Sequence, residues 1–145
     1  MVRGVFPIDL DPCSNEHKTV GAVTSYTKED NGLSLPWGGN IFMNPPYGRE
    51  IGKWVDKFLY EWDSGHVKNA ILLVPVKTDT KWWRLLSENL NCWCAIWGRV
   101  KFQSPDPNKS TTVGTFASCV ILFTRDSQIQ ESFKLQFSSL GNIWA

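Results

Sequence analysis

Asn44, Pro45, Pro46 and Tyr47 follow directly on the apolar run Ile41, Phe42, Met43, and they make a stiff cluster of hydrogen-bond acceptors beside a flat ring. Two consecutive prolines remove two backbone donors and fix two φ angles, so the carbonyls of the segment point outward from a rigid peptide. The Asn44 side-chain oxygen and the Pro45 carbonyl can hold an NH2 group, while Tyr47 offers a face to a planar base. The chemistry this suits is methylation of an exocyclic amino nitrogen, which must be held by acceptors as it attacks a sulfonium methyl. The same four residues also make an ordinary strand exit, with Asn44 capping, the prolines bending the chain and Tyr47 covering the core edge. The apolar residues before them and the helical pattern after them favour the first reading. Together these place the segment at the carboxyl end of a buried strand, where open α/β sheets bind ligands.

The elements that must position this segment are legible around it. Ile51, Trp54, Val55, Phe58, Leu59 and Trp62 recur at helical spacing opposite Lys53, Asp56, Lys57 and Glu61, which predicts an amphipathic helix that breaks at Asp63, Ser64 and Gly65. Residues 70–76 form a continuous apolar run of the kind buried on both faces of a parallel sheet. Asp79 or Thr80 can cap a helix over 81–90 carrying Trp82, Trp83, Leu85 and Leu86. Further strands are predicted at 5–10, 93–97 and 116–123, with 100–102 extending the second past a bend at Gly98 and Arg99. The polar loop 103–114 has no helical period, so the last two strands should pair antiparallel. Ile129, Phe133, Phe137 and Leu140 favour a terminal helix, although Phe133, Leu135 and Phe137 also alternate. Repeated strand and helix imply a parallel sheet with right-handed crossovers, a pattern shared by several doubly wound folds.

Composition narrows the function classes. A chain of 145 residues fits one domain, here 1–145, with no room for a separate target-reading domain. The net charge of +1, from 15 Lys and Arg against 14 Asp and Glu, gives no global field for a polyanion, so any nucleic-acid contact is local. Cys13, Cys92, Cys94 and Cys119 lack the paired spacing of a zinc site, and His17 and His66 lie far from Cys92 and Cys94. No metal is expected. Cys92 and Cys94 should face the same side of a strand as buried thiols. No signal peptide or membrane-spanning stretch is seen, so a reducing cytoplasm is the expected location. The eight tryptophans could stack on unpaired bases, but Trp54 and Trp62 fall on the apolar stripe and read as packing.

Taken in order, several pieces resemble the phage-type Dam-like DNA N6-adenine methyltransferases over about residues 5–124. They are Asp9-Leu10-Asp11-Pro12-Cys13, Thr27, Asp30-Asn31-Gly32-Leu33, Pro36-Trp37, Asn44-Pro45-Pro46-Tyr47-Gly48 and Trp54-Val55. Leu73-Val74-Pro75, Thr78-Asp79-Thr80 with Trp82, and Gly98-Arg99-Val100-Lys101-Phe102 continue the series. The resemblance implies an α/β, Rossmann-like methyltransferase fold with a mostly parallel sheet ending in an antiparallel hairpin. It also implies S-adenosyl-L-methionine as methyl donor and adenine in double-stranded DNA as acceptor.

Carried onto this chain, the resemblance has Asn44 and Pro45 accept hydrogen bonds from the adenine amino group, Pro46 stiffen the corner and Tyr47 stack on a base turned out of the duplex. Asp11, with Asp9 two residues earlier, Pro12 and Asp30 would serve the cofactor; the alternatives are a turn cap for the first pair and a plain turn for Asp30. Arg49, Lys77, Lys81, Arg99, Lys101 and Lys109 are the expected DNA contacts, against the alternative of a solvated surface. The chain departs from many methyltransferases in having no Gly-rich turn after the first strand. Only about 33 residues separate Asp11 from Asn44, so the cofactor half should be either abbreviated or partly missing, with Met1 marking either a truncation or a naturally short copy. Two other functions follow from these departures and from the motif's chemistry: a nucleic-acid-binding relative without catalysis, or transfer to cytosine N4, RNA or a protein glutamine.

Overall fold

Helical spacing of Ile51, Val55, Phe58 and Trp62 becomes α1 (Ile51–Asp63) in the computed structural model, with all four side chains buried. The structure describes residues 2–14, 20–98, 101–102, 112–113 and 117–145; for 101–102 and 112–113 it describes the backbone alone. The strands are β1 (Leu10–Asp11), β2 (Thr24–Ser25), β3 (Gly39–Met43), β4 (Val67–Pro75), β5 (Cys92–Ile96), β6 (Lys101–Phe102), β7 (Thr112–Val113), β8 (Ser118–Thr124) and β9 (Gly141–Trp144). Two further helices, α2 (Lys81–Ser87) and α3 (Ser127–Phe137), and three short 3-10 turns complete the chain.

Seven strands form one sheet in the order β2-β1-β3-β4-β8-β5-β9. The period of two along each strand divides it into two cores. Ile41 and Met43 of β3, Leu72 and Val74 of β4, and Cys119, Ile121 and Phe123 of β8 pack with α1 and with Trp82 and Leu86 of α2. Phe42, Ile71, Val120 and Leu122 point the other way and meet Phe133 and Phe137 of α3 together with Val5, Phe6 and Ile8. The result is a mixed α/β protein in three layers. Phe58, fully buried, meets Phe123 edge to face at 4.8 Å; burying one such ring contributes about 1.5–3 kcal/mol. Cys92 and Cys94 share the α3 face and are buried free thiols, as their spacing predicts.

The sheet is not mostly parallel. β2 with β1, β1 with β3 and β3 with β4 run parallel, whereas β4 with β8, β8 with β5 and β5 with β9 run antiparallel. β8 and β5 do pair antiparallel as the structureless loop suggested, but β8 inserts between β4 and β5, and the edge beyond β5 is β9, a strand the tail's helical spacing concealed. Gly141 makes that pairing possible: a Cβ there would run into the Ala95 carbonyl. Of the expected extension of β5 over 100–102, Val100 lies outside the described residues; after Gly98, which takes φ 75°, Lys101–Phe102 pairs with Thr112–Val113 in a separate two-stranded sheet. The first strand is shorter than 5–10, since Pro7 has no N–H to give a ladder and Val5, Phe6 and Ile8 pack beneath α3. Likewise α2 ends at Ser87 rather than at residue 90.

Candidate active site

At the carboxyl end of β3 the chain leaves the sheet through Asn44, which is half-buried, Pro45, which is buried, Pro46, which is exposed, and Tyr47, half-buried again. Gly48 takes φ 105°, a region that L side chains rarely enter, and so lets the stiff segment reverse into α1. The Tyr47 ring packs against the core, and its hydroxyl, like that of Ser118, the first residue of β8, is sealed from solvent. Burial raises the Tyr47 pKa, and the polar Ser118 side chain acts against that rise without cancelling it. The motif therefore sets Asn44 and Pro45 next to a core-packed Tyr47 ring at the end of β3.

A second constellation lies at the same end of the neighbouring strands. After β1 the chain turns at Pro12, and the Cys13 N–H donates to Asp11 Oδ1 at 3.3 Å. The Ser14 N–H donates to the Tyr26 carbonyl at 2.9 Å, tying this turn to the exit of β2. Asp11 is 5% exposed. Burial lifts its pKa to about 6, against hydrogen bonds from the Cys13 backbone and the Ser14 side chain. Burial also pushes the Cys13 thiol up, with the Asp11 charge adding to the shift, so Cys13 stays a neutral thiol at physiological pH.

Between these turns and α1 opens a cavity of about 500 Å³. The Pro12–Cys13–Ser14 turn forms one wall; Tyr26, Lys28, Asn31 and Leu33 form another; Pro46 and Trp54 close it from the motif side. Its wall depends on close approach at Gly32, where a Cβ would strike the Pro12 carbonyl. Trp37 Nε1 donates to the Gly32 carbonyl at 2.9 Å, and the Trp37 ring stacks on Trp54 at 5.9 Å. Behind them sits a buried acid, Glu61, whose Oε2 accepts the Trp37 N–H at 3.3 Å and pairs with His66, while Lys57 reaches its Oε1 at 3.5 Å. One buried carboxylate thus holds the aromatic wall from the C-terminal turn of α1.

Not all expected site residues meet here. Of the four assigned to the cofactor, Pro12 lines the cavity and Asp11 lies buried at the base of its turn. Asp9 is exposed and its Oδ2 accepts the Asn40 N–H at 2.8 Å, fastening β1 to the start of β3, away from the cavity. Asp30 is exposed and its Oδ2 accepts from the Thr27 N–H at 2.9 Å and the Thr27 hydroxyl at 3.1 Å, a local cap. The neighbouring Asn31, left-handed with φ 54°, lines the cavity instead. The signal for it is the Asp30-Asn31-Gly32 turn; Leu33 and Trp54 stand in the matching series without a site role, and Tyr26 carries no signal. Arg49 and Lys81 are exposed, and Lys77 half-buried, at the edge where β3 and β4 end. Lys101 is described by its backbone alone, in β6, and Arg99 and Lys109 lie outside the described residues.

Among the described residues no His, Cys, Asp and Glu side chains group as a metal site requires, and no helix is long and apolar enough to cross a membrane. The model of the DNA N-6-adenine-methyltransferase (Dam) family matches residues 2–141. The chain therefore belongs to that family. No curated protein matches it.

Proposed function

From that membership we propose that the protein is a site-specific methyltransferase that uses S-adenosyl-L-methionine to methylate N6 of adenine turned out of double-stranded DNA. The observation that carries this reading is the cavity shared by the Pro12–Cys13–Ser14 turn and Pro46 of the motif, which joins a cofactor-sized space to the acceptor cluster. Its volume lies in the usual range for small-molecule sites, about 300–1,000 Å³, and its lining fits the group. Tyr26, Leu33 and Trp54 offer apolar faces for a purine, and Asn31 and Ser14 offer polar atoms for a ribose or amino acid; Asp11, buried at the base of the turn that forms one wall, is the carboxylate we assign to an ammonium. When bound, the cofactor supplies a methyl group on a positively charged sulfur. The strand order, with β8 antiparallel between two strands that run the same way, supports a Rossmann-like methyltransferase fold.

In this reading the Asn44 side-chain oxygen and the Pro45 carbonyl accept the two N6 hydrogens. That draws electron density onto a nitrogen whose lone pair is otherwise delocalised into the ring. No group with a specially tuned pKa is needed, and positioning supplies most of the acceleration. Tyr47 gives the extrahelical base a face, and Arg49, Lys77 and Lys81 neutralise phosphates beside it. The short cofactor half is consistent with β1 and β2 having two residues each and with no α-helix preceding α1 among the described residues.

The test is to incubate the protein with methyl-labelled S-adenosyl-L-methionine and unmethylated DNA, digest the product and identify the labelled nucleoside. N6-methyladenine is expected. Label on cytosine N4 would move the reaction to another amino group. A folded protein that neither labels DNA nor binds the cofactor by calorimetry would sink the proposal.

A further inference from the structure

We infer that Pro36 and Trp37, fastened by Glu61, are positioning residues for the cofactor: a brace behind the cavity that fixes the walls of the purine slot relative to each other. That the slot takes S-adenosyl-L-methionine rests on the proposed function; the brace itself does not. Neither residue lines the cavity, yet three that do are tied to them. The Tyr26 hydroxyl donates to the Pro36 carbonyl at 2.8 Å. Trp37 Nε1 donates to the Gly32 carbonyl at 2.9 Å. Trp54 stacks on the Trp37 ring, with centroids 5.9 Å apart and 22° between the planes. Tyr26 and Gly32 belong to the segment after β2 and Trp54 to α1, so one dipeptide joins two walls made by different elements.

The brace is itself held. Trp37 is 2% exposed and donates its backbone N–H to Oε2 of the buried Glu61 at 3.3 Å. Lys57 reaches Oε1 of the same carboxylate at 3.5 Å, and its ammonium lies 5.8 Å from the Trp37 ring centroid. Packing alone asks of a buried tryptophan an apolar pocket and any one acceptor for its indole N–H. Here the acceptor stands on one wall, the stacking partner on another, and a third group fixes the backbone between them. The aromatic faces of the slot are therefore set in advance, and a purine entering it is spared the cost of ordering them.

Trp37→Phe keeps a ring against Trp54 and removes the indole N–H; Tyr26→Phe keeps its face and removes the hydroxyl. Each is expected to raise the calorimetric Kd for S-adenosyl-L-methionine about three- to tenfold. KM for the cofactor should rise by the same factor, with kcat at saturating cofactor within about twofold of the parent. Because the purine end is common to the donor and to its demethylated product S-adenosyl-L-homocysteine, both ligands should weaken equally. Phe133→Leu, in the core on the other face of the sheet, should lower Tm without moving either Kd, which separates positioning from general destabilisation. Parental Kd in Tyr26→Phe or in folded Trp37→Phe, a loss confined to the donor, or an equal loss in Phe133→Leu would each overturn the inference. If Trp37→Phe does not fold, Tyr26→Phe decides.

A second readout needs no ligand. In nitrogen-15 labelled protein the Trp37 indole N–H, identified by its loss in Trp37→Phe, should exchange slowly with deuterium. Glu61→Ala should speed that exchange about tenfold more than it speeds exchange of the β8 amides, which report global opening. Glu61→Gln keeps an acceptor for the Trp37 backbone and should restore the slow rate. Equal acceleration of the indole and the β8 amides in Glu61→Ala would also overturn the inference. A wild-type protein that binds neither ligand would instead defeat the proposed reaction, and the indole exchange would still decide whether the brace exists.

Discussion

Replacing Asp11 by Asn is expected to stabilise the protein and weaken its cofactor binding at the same time. Asp11 is 5% exposed and its pKa rises from 3.8 to about 6, chiefly through burial. At about 1.4 kcal/mol per pH unit, keeping this carboxylate ionised at neutral pH costs the native state about 3 kcal/mol. The folded acid holds its proton more tightly than the unfolded one. Its contribution to stability is therefore complete below pH 3.8 and is lost as pH rises through 6. An Asn side chain does not titrate; its one oxygen can still accept the Cys13 N–H, while losing the second acceptor, which faces the Ser14 side chain, costs about 1 kcal/mol.

The stability gap between Asp11→Asn and the parent should therefore be small near pH 4, open between pH 4 and 6, and level off above pH 7 at about 2–3 kcal/mol in favour of the variant. For a chain of this size that corresponds to a rise in Tm of roughly 5–10 °C. Urea unfolding across this pH range measures the gap, and calorimetric titration with S-adenosyl-L-methionine measures the cost, about tenfold or more in Kd for a lost charge-assisted bond. A gap that stays constant with pH, or a variant less stable than its parent at pH 8, would refute the reasoning. Either would mean that Asp11 is not held ionised against burial.

Three other changes test separate parts of the site. Asn44→Ala should reduce methyl transfer by about 10²- to 10³-fold, as loss of one preorganised partner of the reacting group does, with cofactor affinity by calorimetry unchanged; undiminished turnover in folded protein would remove Asn44 from the chemistry. Gly32→Ala should cost about 1–3 kcal/mol by overpacking, because its Cβ meets the Pro12 carbonyl, and should weaken cofactor binding; a variant with parental Tm and affinity would show that this wall can give. Glu61→Ala strips the Trp37 N–H and Lys57 of a buried partner and should lose about 1–3 kcal/mol in urea unfolding; an unchanged midpoint would mean the carboxylate is not holding the aromatic wall.

Where the chain obeys one local rule strongly, reading and structure agree. α1 follows from a stripe that fits only a helix, and Thr80 caps α2 with its hydroxyl accepting the Trp83 N–H at 3.3 Å, as its residue type suggests. β4 and β8 follow from apolar runs too short for helices and buried on both faces. The misses share a cause. β9 is four residues after a helix of ambiguous period, and its pairing with β5 is a long-range contact with no local trace. The fate of residues 101–102 turned on the backbone at Gly98, where a glycine allows a left-handed turn without requiring it.

The site divides in the same way. Asn44 to Tyr47 announce themselves because two prolines after an asparagine are chemically unusual at a strand end, and the order of matching pieces along the chain was enough to indicate the family. Aspartates are less informative, since one carboxylate can cap a turn, pin a strand or bind a ligand. Asp9, Asp11 and Asp30 do three different things here: Asp9 bonds the Asn40 backbone, Asp30 bonds Thr27, and Asp11 alone is buried beside the cavity.

By itself, then, the sequence determined the elements with strong periodicity, the prolyl corner at the end of β3 and the kinship of the chain, all of which depend on residue type and near-neighbour spacing. Tertiary structure alone decided which strands are neighbours and which aspartate is desolvated. Burial and hydrogen-bond partnership are properties of the space between distant segments, and Asp9 meets the Asn40 N–H only once β1 is laid beside β3.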